Sequence, residues 1–337
     1  MKKKAIITGI TGMVGSHLCD YLFDNTDLEI HGILRWRSPL INIKDKIKNI
    51  ENFDRVFLHY ADINDLSSLI KIMDQVKPDY VFHLAAQSFP RTSFDIPLET
   101  IQTNILGTTN LLESIKFLGL QNTWIHICSS SEVFGRVDKK NIPIKEDNTF
   151  HPASPYAISK VGTDLIGRFY AEAYKLKTIT TRMFTHTGPR RGDVFAESSF
   201  AKQIALIETG QIQPIVKVGN LKSLRTYGDV RDAVRAYYMA LTINPIPGEF
   251  YNIGGHHTCE VGEVLNKLIS LSTCKKIEVQ VDKDRLRPID ADLQVPDVNK
   301  FHKHTGWKNE IKFEDTMIDL LNYWRDRIKI SNDILSR

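Results

Sequence analysis

The stretch that decides the fold is Lys4-Ala5-Ile6-Ile7-Thr8-Gly9-Ile10-Thr11-Gly12-Met13-Val14-Gly15. Its apolar start predicts a buried strand, and residues 13–23 have the three- and four-residue apolar spacing of a helix. Between them, Gly9 permits a tight turn, Gly12 lets the backbone approach a pyrophosphate, and Gly15 lets helix and strand pack closely. Because a helix N-terminus offers unpaired N–H groups to phosphates, the stretch predicts a dinucleotide site.

Strand and helix patterns continue to alternate through the first half of the chain, which favours a parallel sheet. Further strands are predicted at 29–34, 56–58, 80–84, 124–128 and 178–183, and helices near 65–75, 97–118 and 155–174. After about residue 184 the alternation fades, with helices at 261–271 and 313–327. The predicted fold class is α/β: a Rossmann-type doubly wound parallel sheet with a smaller C-terminal α/β substrate-binding lobe.

A chain of 337 residues exceeds the size at which one hydrophobic core keeps growing, so we expect two units. Residues 1–184, with returning segments from about 215–257, are predicted to form the NAD(P)-binding domain. The stretches of about 185–214 and 258–337 are predicted to form the second lobe.

Composition narrows the function classes. With 42% apolar and 25% charged residues and a net charge of +4, the chain is typical of a globular protein without a nucleic-acid partner. Cys19, Cys128, Cys259 and Cys274 stand far apart, which argues against a structural metal. The first apolar run is one strand long, too short for a signal peptide or a membrane span, so we expect a cytoplasmic protein with no membrane partner.

The residues after the second strand bear on the choice of cofactor. Leu34-Arg35-Trp36-Arg37-Ser38 carries arginine where an acidic residue normally binds the adenosine ribose. Because a guanidinium pairs with a 2′-phosphate and stacks on adenine, this favours NADP, with NAD as the alternative. Arg35 and Arg37 also fit ordinary surface positions. Asp62, after the third strand, fits an adenine contact or a helix cap.

Two motifs predict catalysis. In Tyr156-Ala157-Ile158-Ser159-Lys160 the phenol and the ammonium lie one helical turn apart, and an adjacent cation favours the phenolate that acts as a base. In Ser129-Ser130-Ser131-Glu132, at the end of a strand, the Ser130 hydroxyl would hold the reacting oxygen of the substrate beside that phenol. The predicted catalytic residues are Ser130, Glu132, Tyr156 and Lys160.

Taken together, these motifs resemble the extended short-chain dehydrogenase/reductases, a family that acts mainly on nucleotide sugars. The similarity runs through nearly the whole chain and includes His83-Leu84-Ala85-Ala86-Gln87-Ser88, Asn104 and Arg287-Pro288. It implies that Ala85 and Ala86 lie along the cofactor and that Asn104 supports the active-site helix. The predicted cofactor-binding residues are Gly9, Thr11, Gly12, Met13, Val14, Gly15, Arg35, Asp62, Ile63, Leu84, Ala85, Ala86, Tyr156 and Lys160.

Two groups within this family share local sequence with the chain. Residues 184–195 and His31-Gly32-Ile33-Leu34-Arg35 are similar to GDP-mannose 4,6-dehydratases, whereas 199–205, 218–221 and 229–232 also resemble GDP-4-keto-6-deoxymannose reductases. Glu132 decides the choice, because a dehydratase needs a base for the C5 proton once C4 is a ketone. The alternative for Glu132 is a carboxylate that orients a loop. The predicted function is thus a nucleotide-sugar 4,6-dehydratase, with a reductase or a 4-epimerase as alternatives.

The resemblance also implies a substrate site. Arg225 and Arg287 match positions that clasp the two phosphates, and the predicted substrate-binding residues are Ser88, Ser130, Thr185, Arg225 and Arg287. Thr185 stands where the family carries an asparagine, and Arg91 adds a charge close to the expected sugar. Both departures leave GDP-heptose or another GDP-hexose open beside GDP-mannose. Arg190 and Arg191 are not assigned to substrate, because such arginines often serve a neighbouring subunit in this family.

The resemblance further implies assembly, because the helices at 97–118 and 155–174 match those that pair between subunits. We therefore expect a homodimer or a homotetramer. A nonenzymatic NADP-binding regulator is the alternative from another class, but such proteins typically lose the tyrosine or the lysine that this chain keeps.

Overall fold

The computed structural model describes residues 2–47, 55–286 and 291–330. The strands are β1 (Lys4–Thr8), β2 (Glu29–Leu34), β3 (Val56–Tyr60), β4 (Tyr80–His83), β5 (Trp124–Cys128), β6 (Lys177–Met183), β7 (His186–Thr187), β8 (Ile215–Val218), β9 (Leu224–Asp229), β10 (Phe250–Ile253), β11 (His257–Glu260), β12 (Glu278–Val281) and β13 (Leu293–Gln294).

The helices follow the predicted alternation in the first half of the chain. They are α1 (Met13–Asn25), α2 (Lys44–Ile47), α3 (Leu66–Val76), α4 (Pro90–Asp95), α5 (Pro97–Ile101), α6 (Gly107–Phe117), α7 (Pro155–Tyr174), α8 (Ala196–Glu208), α9 (Val230–Thr242), α10 (Val261–Ser270), α11 (Asn299–Thr305) and α12 (Phe313–Ile330). A π-helical turn, Gln102–Leu106, joins α5 to α6. No helix in the described part of the chain is both long and apolar enough to cross a lipid bilayer.

The central sheet has seven strands in the order β10-β6-β5-β4-β1-β2-β3, and each neighbouring pair is parallel. Both faces are covered, as a parallel sheet requires. Ile7 on β1 packs in one core with Leu18 of α1 and Tyr237 of α9, whereas Ile6 packs in another with Leu111 of α6. The predicted α/β class with a doubly wound parallel sheet is confirmed. The strand order reverses between β1 and β4, which is where such sheets bind ligands.

The smaller lobe has its own sheets and its own core. β9 pairs with β7, β11 and β13, β8 pairs with β12, and helices α8, α10 and α12 pack against these strands. The predicted two-unit division as a whole stays a prediction, but the return to the large sheet begins later than residue 215. Val216 and Val218 of β8 are buried in the core of the smaller lobe, and the segments that rejoin the large sheet are α9 and β10.

Candidate active site

The glycine-rich turn joins β1 to α1 at the carboxyl edge of the sheet. Gly9 has a φ of +72°, and its amide donates to the Ile33 carbonyl at 3.0 Å. A Cβ on Gly15 would lie 2.3 Å from the Gly9 oxygen, so only glycine lets α1 start this close to the turn. Gly12 precedes α1 and no side chain caps the helix, which leaves backbone N–H groups at its N-terminus for an anion.

The chain after β4 lies directly against this turn. The amides of Leu84 and Ala85 both donate to the Thr8 hydroxyl at 3.0 Å, and a Cβ on Gly9 would lie 3.0 Å from Ala85. Ala86 follows, half-buried. The structure thus places these predicted cofactor residues beside Gly9. Gly9 and Gly15 let the turn, α1 and the β4 end pack together, whereas exposed Gly12 leaves the N-terminus of α1 open for a dinucleotide.

The other predicted cofactor residues divide into two groups. Thr11 and Val14 are half-buried and Met13 is buried, so all three build the turn and the first turn of α1. Ile63 is also buried, and a Cβ on Gly107 of α6 would collide with it at 2.6 Å. Ile63 therefore packs against α6 in the interior and does not line an open surface.

Arg35 and Asp62 lie exposed at the ends of β2 and β3. The Asp62 carboxylate accepts from the Asn64 amide at 2.9 Å, and the Asp65 amide donates to the Asp62 carbonyl at 2.9 Å. Asp62 thus lies in a local turn before α3 and is not its cap, because the cap is Asp65, and the adenine contact stays a prediction.

The proposed catalytic helix α7 is fixed at its start. Ser154 caps it by accepting from the Ala157 amide at 3.0 Å, and the Tyr156 amide donates to the Ser93 hydroxyl at 3.0 Å. One turn on, the Ser159 hydroxyl donates to the Tyr156 carbonyl and accepts from Asn104 at 2.8 Å. Asn104 also bonds the backbone of Gln87 through both ends of its amide. The sequence-based role of Asn104 as a support for α7 agrees with these contacts.

Tyr156 and Lys160 are both buried on the inner face of α7. Burial raises the pKa of the Tyr156 phenol, a hydrogen bond with Ser130 opposes the rise, and Cys128 and Glu132 add to it. Burial lowers the pKa of Lys160, whose Nζ donates to the Cys128 carbonyl at 2.8 Å. The structure therefore ties Lys160 to the end of β5, and its predicted effect on the phenol stays a prediction.

Ser130 and Glu132 follow β5 in a single 3₁₀ turn, Ser131–Val133. The Ser130 hydroxyl accepts from the Glu132 amide at 3.2 Å, which fixes the turn. The Glu132 carboxylate lies 3.8 Å from the Arg225 guanidinium on β9, and these side chains are only 12% and 14% exposed. Residues from the sheet and from the smaller lobe thus meet at the phenol, with Glu132 between them.

The remaining predicted substrate residues are spread around this point. Ser88 is exposed in the loop after β4, and Thr185 is half-buried, with its carbonyl accepting from the Gly228 amide at 2.9 Å. Arg287 lies outside the described residues. Arg91 forms an ion pair at 3.1 Å with Asp95, one turn along α4, so its charge is engaged by its own helix.

The two arginines that the sequence left unassigned separate in the structure. Arg190, at a φ of +67°, turns to α1 and pairs with Asp20 at 2.7 Å. Arg191 turns inward, where its guanidinium lies 3.5 Å from the centre of the Phe195 ring and 3.6 Å from Glu197. Its charge opposes the burial that raises the Tyr156 pKa. No sequence pattern distinguishes which of two adjacent arginines enters a cleft.

His83, at the end of β4, is a buried structural group. Its ring nitrogens lie 3.0 Å from the hydroxyls of Thr8 and Thr108. Burial lowers its pKa to about 3, and the Lys160 charge adds to the effect, so the ring is neutral near pH 7. It joins β1 to α6 beneath the glycine-rich turn.

Known proteins are similar to this chain over nearly its whole length. The family model for GDP-mannose 4,6 dehydratase matches residues 6–320. The chain belongs to the GDP-mannose 4,6-dehydratase family. It is 34% identical to the "GDP-mannose 4,6 dehydratase" of Cricetulus griseus, over 95% of this chain and 91% of that protein. It is 31% identical to the "GDP-mannose 4,6-dehydratase" of Yersinia enterocolitica, over 95% of this chain and 93% of that one.

A solved structure agrees. RMD from Pseudomonas aeruginosa, complexed with NADPH, superimposes with a TM-score of 0.82 at 28% identity, covering 97% of this chain and all of that one. The membership in the extended short-chain dehydrogenase/reductases that the motifs predicted is confirmed. In this dehydratase-family chain, a phenol, a serine hydroxyl and a carboxylate meet at the carboxyl edge of the sheet, which is the set that proton transfer at a sugar carbonyl requires.

Proposed function

We propose that this chain is an NADP-dependent nucleotide-sugar 4,6-dehydratase that converts GDP-mannose, or a related sugar such as a GDP-heptose, to the 4-keto-6-deoxy sugar. The observation that carries the proposal is the position of Glu132. It follows Ser130 in one fixed turn, its charge acts on the Tyr156 phenol, and it faces Arg225 across the two lobes. Elimination needs this second base beside the tyrosine.

The cofactor site fits NADP. Gly12 is exposed and carries no side chain that would block a pyrophosphate, the uncapped α1 N-terminus offers N–H groups, and Ala85 lies against the turn on the other side. Arg35, exposed at the end of β2, would pair with the 2′-phosphate. When bound, the nicotinamide supplies an acceptor that takes the C4 hydrogen and returns it to C6.

The residues of the chain then supply the proton transfers. Tyr156 takes the proton from O4 while the Ser130 hydroxyl holds that oxygen. Glu132 takes the proton from C5, which the new C4 carbonyl acidifies, and passes it to the C6 hydroxyl, which leaves as water. The hydrogen returned to C6 would be matched by a proton that Tyr156 gives to C5, so both residues regain their starting states. Lys160, already bonded to the β5 end, would also orient the cofactor ribose. No net oxidation occurs, so the cofactor is regenerated in each turnover.

Arg225 is proposed to bind the diphosphate of the nucleotide. A guanidinium pairs well with a diphosphate, and Arg225 enters the cleft from β9 with most of its side chain covered. A nucleoside diphosphate held there would leave the hexose between the smaller lobe and Tyr156. Thr185 and Ser88 are proposed to border this space and to set the choice of sugar.

The decisive experiment uses GDP-mannose and a GDP-heptose, each deuterated at C4, with catalytic NADP. A dehydratase yields a product lighter by one water, with the label moved to C6 and with solvent hydrogen at C5. A reductase leaves both sugars unchanged until a 4-keto sugar and NADPH are added. An epimerase gives an isomer of unchanged mass, and either of these outcomes would overturn the proposal.

We also propose that the protein assembles as a homodimer, with a homotetramer as the alternative. The helices expected to pair carry exposed apolar side chains on their outer faces: Leu98, Ile101, Leu106, Ile158, Leu165 and Phe169. Leu98 alone is 79% exposed, and such a row favours burial against a second copy. Sedimentation of a Leu98→Glu, Phe169→Glu double variant should show monomers where the unmodified protein shows dimers.

We place the reaction in the cytoplasm. All four cysteines are free in the structure, which suits a reducing compartment. Fractionation of the producing cells, followed by immunodetection, would test this location.

A further inference from the structure

Trp36 is unusually exposed for a tryptophan. Its side chain leaves 76% of its surface open, whereas Trp307 and Trp324 are buried. It lies in the turn after β2 between Arg35 and Arg37, and the Ser38 amide closes that turn on the Arg35 carbonyl at 2.9 Å. An indole held in water in this way loses the free energy that its burial would bring, so a surface that covers it would stabilise it.

The turn borders the proposed cofactor site. Ile33, at the end of β2, accepts from the Gly9 amide at 3.0 Å, so the glycine-rich turn and the Trp36 turn follow adjacent strand ends. Asn42, farther along the same loop, donates to the Thr11 carbonyl at 2.9 Å and holds the loop against the glycine-rich turn. A dinucleotide lies across strand ends in sheets of this order, and its adenosine half lies on the β2 side.

Tyr60 supports the indole from the next strand. It ends β3, is paired in register with Leu34, and is itself 58% exposed. The two ring centres are 5.7 Å apart with an interplanar angle of 68°. An edge-on contact of this kind orients both rings without stacking one on the other, so indole surface stays open for a further flat group.

We propose that Trp36 is the platform on which the adenine of NADP stacks, with Tyr60 holding the indole in place. Every base presents a π face that an aromatic side chain can cover, and Arg35 and Arg37, exposed and next to Trp36 in sequence, offer positive charge for the 2′-phosphate. This assigns the adenine contact to Trp36 instead of Asp62, whose carboxylate is bonded to the Asn64 amide. The inference rests on the NADP dependence in the proposed function and adds the residue that recognises the base.

Binding of adenosine 2′,5′-bisphosphate tests this without any sugar or turnover. This ligand carries the adenine and the 2′-phosphate. It lacks the nicotinamide, so the nicotinamide cannot contribute to any change in tryptophan emission. In the unmodified protein we expect the red-shifted emission of the exposed indole to be quenched on binding, and acrylamide to reach that indole less well. In Trp36→Phe the signal should be absent, and calorimetry should show weaker binding. In Trp36→Ala the affinity should fall by about tenfold or more.

Two controls sharpen the result. Trp124→Phe removes a half-buried indole at the start of β5, on the amino edge of the sheet. This variant should keep both the quenching and the affinity. Arg37→Ala should weaken the bisphosphate but not AMP, whereas Trp36→Ala should weaken both. Unchanged affinity in Trp36→Ala, or quenching that persists in Trp36→Phe, would overturn the proposal. Since no sugar is present, failure here leaves the dehydration experiment as a separate test.

Discussion

The two sides of the cleft are built differently. On the sheet side, Tyr156 sits on a helix whose first turns are bonded to Ser93 and Asn104, and Ser130 is bonded within a turn that directly follows a strand. On the lobe side, Arg225 and Arg191 bring positive charge from β9 and from a loop. The difference favours a division between the two sides: hydrogen bonds fix the groups proposed to move protons, and the long side chain of Arg225 is proposed to hold the nucleotide.

The largest expected effect is on the sheet side. Tyr156→Phe removes the phenol oxygen proposed to take the O4 proton, so kcat should fall by about 10²- to 10⁴-fold with KM nearly unchanged. Steady-state kinetics on the GDP-sugar measure both. Tyr170→Phe, on the same helix with its hydroxyl bonded to Glu113 at 2.5 Å, is the matched control and should keep full activity. A loss shared equally by both variants would remove Tyr156 from the chemistry.

Glu132→Gln separates the two proton transfers. The amide keeps the shape but cannot accept the C5 proton, so dehydration should slow by about 10²-fold or more. In deuterated water, mass spectrometry should show that incorporation at C5 is lost with it. Glu113→Gln, a carboxylate away from the cleft and paired with Lys116 at 2.7 Å, should incorporate deuterium normally. Normal incorporation in Glu132→Gln would make Glu132 a loop-orienting carboxylate.

A substitution on the lobe side should change the binding of the GDP-sugar more than the catalytic rate. Arg225→Lys keeps the charge but loses the planar fork, so KM for the GDP-sugar should rise about tenfold while kcat changes by less. Arg325→Lys in α12 is the control, since Arg325 pairs with Glu208 at 2.8 Å within the lobe. If kcat fell by a larger factor than KM rose, Arg225 would contribute to catalysis by positioning Glu132, which would contradict the division between a catalytic sheet side and a binding lobe side.

Local patterns predicted the sheet side well. The strand, glycine turn and α1 follow from contiguous residues, and the predicted helix at 155–174 coincides with α7, because helical periodicity and an N-terminal serine-proline pair are local signals. The structure of the lobe side was harder to predict from the sequence. The sequence analysis assigned residues from about 215 to the large domain, and only the pairing of β8 with β12 and of β9 with β11, both later in the chain, shows that these strands lie outside the large sheet.

The meeting of Glu132 and Arg225 illustrates the same limit. Each motif was visible alone, but their 3.8 Å separation depends on how the two cores pack, and no periodicity reports that. Arg191 turns inward directly after Arg190, whose positive φ is a conformation that a non-glycine residue adopts only when its surroundings favour it.

The smallest expected effect concerns the stability of the sheet side. Burial lowers the pKa of His83 to about 3, so the unfolded chain takes up its proton more readily than the native protein does. The stability that the neutral ring contributes is therefore complete above about pH 6.5 and is lost as the pH falls toward 3. In His83→Gln this loss is absent. Urea unfolding should show that the variant is less stable near neutral pH.

The difference between the two proteins should then narrow by about 1 kcal/mol for each pH unit below 6.5. If the difference in free energy of unfolding stayed constant with pH, the contribution of His83 to stability would come from its hydrogen bonds to Thr8 and Thr108 and not from the neutral state of its ring.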